Sequence, residues 1–250
     1  MRNMYGSLVI IMVVMTAATS LIAQETDGRE VADSAQALEL ALAYTGFEEY
    51  PDFDLKDALS RVEEVKFCDS TMPFLADSLD GLPAWEVEFH DIILYRSASS
   101  PGLGKKHPKK VTVSLDRKTG KLLRMTVIEM GLPRGSLYPK VDSKTAESRL
   151  QSVSLQRFHG LPSERPKVSL ARALNNVRGG SPLLSKEIVV YYVLESRLEK
   201  EPWQVWDIHL YHVPPRPDRP EFRTSIRSRD HYRCVIDAVT GKLLWGNNVP

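Results

Sequence analysis

Two stretches of this chain occur twice. The run Asp116-Arg117-Lys118-Thr119-Gly120-Lys121-Leu122-Leu123 returns as Asp237-Ala238-Val239-Thr240-Gly241-Lys242-Leu243-Leu244. Ala84-Trp85-Glu86-Val87-Glu88-Phe89 returns as Val205-Trp206-Asp207-Ile208-His209-Leu210. Both pairs are 121 residues apart, so the spacing from tryptophan to turn aspartate is the same in each copy. A chain that repeats at one fixed interval is built from a duplicated folding unit, and the same positions must face the core in both copies.

The repeated Asp-x-x-Thr-Gly-Lys element has a direct physical meaning. Asp and Thr side chains bond turn amides, and the glycine accepts the positive φ of a tight reversal, so the flanking strands form a hairpin. The aspartates are therefore turn formers and not catalysts. Further upstream, Asp54-Leu55-Lys56-Asp57-Ala58-Leu59-Ser60-Arg61-Val62 matches Ser169-Leu170-Ala171-Arg172-Ala173-Leu174-Asn175-Asn176-Val177 at an offset of 115. Each opens on an N-cap residue and sets Leu, Leu and Val at i, i+4 and i+7, the stripe of a short amphipathic helix. The change of offset puts six extra residues before the second tryptophan, and Gly179-Gly180-Ser181-Pro182 has the composition of the loop to hold them.

A longer helix precedes each short one. Val31, Ala35, Leu38 and Leu42 form a stripe ending near Gly46; Ala146, Leu150 and Val153 form a weaker one ending near Gly160. Four strands follow in each copy, near 62–68, 84–95, 110–115 and 122–129, then 186–196, 203–212, 231–236 and 243–246. The expected fold class is α+β: two tandem modules, each with two helices packed on one face of a roughly four-stranded antiparallel sheet.

The N-terminus bears on location. A basic start, the apolar block Leu8 to Met15 and the small-residue exit to Ala23 have the form of a secretory signal peptide, with cleavage expected before Gln24. The apolar block is shorter than the ~20 residues of a spanning helix, so no stable membrane span is expected after cleavage. The division is then 1–23 signal peptide, 24–134 first module and 135–250 second module, with a periplasmic or secreted location. Lys and Arg number 33 against 32 acidic residues, a balance that provides no global field for nucleic acid. Cys68 and Cys234 could pair in an oxidising compartment; equally, Cys234 alternates with Tyr232 and Ile236 as a small buried strand residue.

Trp85 with Asp116 to Leu123, and Trp206 with Asp237 to Leu244, resemble the strand and hairpin of the PepSY domain, a module of exported bacterial proteins. The tandem helix-helix-sheet order is similar to the architecture of the β-lactamase inhibitory protein. The resemblance implies a binding or peptidase-modulating role outside the cytoplasm, with no cofactor. The run Val235 to Trp245 is also similar to a blade repeat of quinoprotein-type β-propellers, but a propeller needs several blades of about 40 to 50 residues. Here the signature occurs twice, with helices between.

Alternation separates the two sheet faces. Trp85, Val87 and Phe89, like Trp206, Ile208 and Leu210, should face the helices, leaving Glu86, Glu88 and His90 with Asp207, His209 and Tyr211 on an open polar face for a protein or peptide partner. Lys105 and Lys106 in one long loop, and Arg219, Phe222 and Arg223 in its counterpart, are candidates for an anionic ligand. No nucleophile elbow, phosphate loop, His-Glu-x-x-His or dinucleotide fingerprint is present, so neither an enzyme nor a metal site is expected. The expected function is an exported binding module that modulates or inhibits an envelope or secreted enzyme such as a peptidase. The alternatives are a metal-dependent hydrolase around His90, Glu88, His209 and Asp207, and an envelope protein that binds anionic polymer.

Overall fold

The structure is a computed structural model that describes residues 30–47, 62–66, 81–92, 109–129, 156–177, 185–197, 201–213 and 229–248. In chain order these hold α1 (Ser34–Thr45), β1 (Val62–Lys66), β2 (Pro83–Ile92), β3 (Lys109–Asp116), β4 (Leu122–Glu129), β5 (Gln156–Gly160), α2 (Leu170–Asn176), β6 (Glu187–Arg197), β7 (Trp203–Val213), β8 (Arg229–Asp237) and β9 (Leu243–Asn248).

The expectation of two separate modules, each with its own pair of helices, is overturned. All nine strands belong to one sheet, in the order β1-β2-β3-β4-β6-β7-β8-β9, with β5 beside β6. The last strand of the first copy pairs antiparallel with the first strand of the second, Met125 against Val190 and Val127 against Ile188. Residues 125 to 128 of β4 cover the first half of one side of β6, and β5 takes the second half of that side through Phe158 and Glu195. A free strand edge carries unpaired backbone groups, and joining the two copies removes one such edge from each. Gln156–Gly160 is thus a strand, where the stripe Ala146-Leu150-Val153 suggested the end of a helix; residues 146–153 and 54–61 lie outside the described residues.

Among the described residues there are two helices, and both pack into one continuous core with side chains from both copies. α1 starts where the Asp33 carboxylate accepts from Gln36 N–H while the Gln36 amide oxygen accepts from Ala32 N–H, a close relative of the capping box. It stops at Gly46, whose φ of 69° is the left-handed cap conformation. Its side chains reach both halves of the sheet: Phe47, just past the cap, meets Phe89 edge-on at 5.3 Å, and Tyr44 lies 6.1 Å from Tyr192. One helix serving two copies explains why neither copy keeps a private core.

The duplication survives in hydrogen bonds. The Trp85 indole N–H donates to Val31 O at 3.0 Å, and the Trp206 indole donates to Val168 O at 2.7 Å. Val31 N–H donates to Arg117 O, as Val168 N–H does to Ala238 O. Both hairpins close with Asp116 N to Lys121 O and Asp237 N to Lys242 O, and both bulge at the same place, before Leu115 and before Ile236. The glycines of the two turns, at φ 67° and 74°, sit under these anchors. A Cβ on Gly120 would meet Leu40 at 3.0 Å and Val31 at 3.4 Å, and one on Gly241 would meet Asn176 at 2.9 Å and Val168 at 3.5 Å. By this pattern the counterpart of α2 is α1, not the 54–62 segment that the sequence match selected. Strand pairing also relocates the length difference. Glu64 opposes Trp85 and Tyr192 opposes Trp206, so the stretch from the first strand to the tryptophan is longer in the first copy, not the second.

Candidate functional site: the far face of the sheet

The sheet face opposite the helices was expected to be open and polar in both copies. In the second copy it is buried. Asp207, His209 and Tyr211 expose 3%, 0% and 2% of their surface, and they lie among Val189, Tyr191, Val193, Val205 and Val235 in a second apolar cluster. The alternation Tyr191-Val193 on β6 and Val205 on β7 carries that signal: a face meant for water would not place β-branched and aromatic residues at these positions.

A carboxylate in such a place must be paired, and the pairing is internal. The Arg233 guanidinium donates to both oxygens of Asp207 at 2.7 Å and to Glu195 at 3.2 Å. It lies 5.7 Å from the Trp245 ring centre, within the range of a cation–π contact. Burial by itself would raise the Asp207 carboxyl, but Arg233 and His209 together outweigh it and hold the group far below the usual carboxylate range. Arg233 rises in turn: burial works against its charge, and Asp207 and then Glu195 overcome it. On the other side of Asp207, His209 Nε2 lies 3.2 Å from Oδ1, and His209 Nδ1 is 2.9 Å from His231 Nε2. Tyr211 stacks on His231 at 4.5 Å and 13°. Burial pushes the Tyr211 phenol well above its ordinary range, helped by Glu187 and Asp207.

The equivalent positions of the first copy are half-exposed. Glu88 pairs with Lys110 at 2.7 Å and lies 3.7 Å from His90, and Glu86 accepts from the Ser114 hydroxyl at 3.3 Å. One strip of strand positions is therefore a sealed ion network in one repeat and an accessible charged patch in the other. The join between the repeats is itself polar at one point: Lys109, buried to 2% exposure, donates to Ser185 O at 2.8 Å. Its burial lowers the ammonium from its usual range, and Glu129 offsets that only in part.

Lys105, Lys106, Arg219, Phe222 and Arg223 lie outside the described residues, as does Cys68. Cys234 is a free thiol on the core face, fully buried between Ile208 and Gly246 in the pairing register. Burial raises its thiol far above the ordinary range. Among the described residues no three His, Cys, Asp or Glu side chains converge so as to hold a metal ion, and no helix is long and apolar enough to cross a membrane. The residues that sequence reasoning missed are Arg233, Glu195 and His231. Arg233 and His231 were legible as the far-face alternation of β8; the extent of burial was not. The chain defines a sheet-dominated antiparallel fold with internal duplication. Compared with family models, curated proteins and solved structures, it matches none.

Proposed function

We propose that this protein is an exported binding module that recognises a protein or peptide in the cell envelope and performs no chemistry of its own. The observation that supports this reading most is the asymmetry of the far face. Second-copy groups that could have reacted are spent on one another and shut from solvent, whereas Glu86, Glu88, His90 and Lys110 stand half-exposed on rigid, paired strands. A fixed patch of alternating charge on a sheet is suited to orienting a partner by complementary charge. The PepSY-like strand and hairpin, and the leader-like N-terminus, point the same way: modulation or inhibition of an envelope or secreted enzyme such as a peptidase. The basic loop residues Lys105, Lys106, Arg219 and Arg223, with Phe222, are proposed as a second contact for an anionic ligand.

The test is affinity capture from an envelope extract with wild type, an E86K/E88K variant and an R219E/R223E variant, each checked for native unfolding. A partner retained by wild type and lost by E86K/E88K supports the patch. Equal capture by all three removes both surfaces from the account. An intact mass starting at Gln24 supports export, and one starting at Met1 refutes cleavage.

A further inference from the structure

Two imidazoles touch inside the far face, with His209 Nδ1 at 2.9 Å from His231 Nε2 and the rings stacked at 5.2 Å and 26°. Across such a contact one nitrogen donates and the other accepts, and an imidazolium has no acceptor to offer. The contact therefore forms when both rings are neutral or when one is charged, and a second proton leaves two N–H groups pointing at each other. The first proton has support around it. Among the described side chains, the charged and titratable groups on this face are Glu187, Tyr191 and Glu195 of β6, Asp207 and Tyr211 of β7, Arg233 and Asp237 of β8 and Arg124 of β4, while β9 brings none. Carboxyl groups outnumber guanidinium groups among these described side chains, and Asp207 is in direct contact with His209 at 3.2 Å. Relief by rearrangement is restricted, because Tyr211 stacks on His231 and Tyr191 stands edge-on to His209 at 5.9 Å.

We infer that the His209–His231 pair is a one-proton latch: it holds with no or one added proton, and the second forces it apart and loosens the far face of β7 and β8. The unfolded chain carries no such restriction, and its histidines charge near the ordinary value of about 6.5. Below that pH the unfolded state binds more protons than the folded state, so stability falls as pH falls. One proton of difference raises the unfolding equilibrium constant about tenfold per pH unit. Carboxylates ordinarily titrate lower, near about 4, so the two effects occupy different windows.

The experiment is urea unfolding of the mature chain, followed by tryptophan fluorescence, from about pH 8 to pH 5. The comparison is His231→Gln, whose amide can still donate to His209 Nδ1 but does not titrate. The wild-type unfolding constant should rise about tenfold more per pH unit than that of the variant below the histidine range. Parallel slopes would overturn the latch. If the variant does not fold, nitrogen-15 spectra of the wild-type imidazoles decide: near pH 5 one ring of the pair stays neutral while the protein is native, and two charged rings in the native state refute the inference.

Discussion

Replacing Arg233 with Met gives the sharpest test of the buried network. The guanidinium makes two 2.7 Å bonds to Asp207 and one of 3.2 Å to Glu195, on a face where Asp207 is 3% and Glu195 6% exposed. Met fills much of the volume, so packing is mostly kept and the loss is electrostatic. Removing one partner of a buried pair costs about 3–5 kcal/mol, because the remaining charge is stranded away from water. With His209 still beside Asp207, the lower half of that range, about 3 kcal/mol, is expected. For a chain of this size each kcal/mol corresponds to about 2–4 °C, so Tm should fall by roughly 6–12 °C. The companion is R233M with D207L and E195Q, which removes the stranded charges as well. Since a buried ion pair is often no better than an apolar replacement, the triple variant should recover at least about 2 kcal/mol relative to R233M. Both quantities come from urea midpoints at pH 7 with a common slope. An R233M variant within about 1 kcal/mol of wild type, or a triple variant as unstable as the summed single changes, would refute this account of the network.

Trp206→Phe should cost about 2–4 kcal/mol and Trp85→Phe somewhat less, since each leaves a valine carbonyl without its indole donor and Trp85 is a little more open; chemical denaturation measures both. Gly46→Ala should destabilise more than Gly81→Ala. Both glycines have positive φ, where a Cβ costs about 1–2 kcal/mol, but a Cβ on Gly46 would lie 2.5 Å from the Ser169 hydroxyl that caps α2, whereas Gly81 has nothing within 4 Å. Equal Tm values would remove the helix contact from the argument. Acid should produce a further loss of stability below about pH 4. The folded-state value of Asp207 is depressed, so its contribution is complete above the unfolded carboxylate value and disappears as pH falls toward the folded one. D207N should flatten that limb of the stability profile.

Strand positions were largely legible from the sequence, because alternation and the Asp-x-x-Thr-Gly turn are local signals. β4 ends at Leu122 and Glu129 as expected, and the hairpin bonds of Asp116 and Asp237 follow from the residues in the turn. The assembly of those strands was not legible. Nothing in β4 or β6 alone announces that Val127 will sit opposite Ile188, since the pairing of two hydrophobic strands across a long connection leaves no short-range trace. The helix equivalence failed for a related reason: a leucine stripe matches any other leucine stripe, whereas the true correspondence lies in two valine carbonyls that receive an indole N–H. On the far face, Glu86, Asp207 and His209 were assigned correctly to one side by period two. The burial of Asp207 and His209 was not legible from their own charges, because it is set by the neighbouring Tyr191, Val193 and Val205.

The seam between β4 and β6 has a consequence for how the molecule can be divided. A fragment stopping at residue 134 would keep every strand of the first repeat yet bare the backbone of β4 from Met125 to Ile128, and it would lose the Ser185 carbonyl that receives the Lys109 ammonium. Such an edge invites pairing with further chains. What began as two interchangeable copies has become a single indivisible fabric: heat or denaturant should unravel it in one step, and either half expressed alone should be found in the pellet.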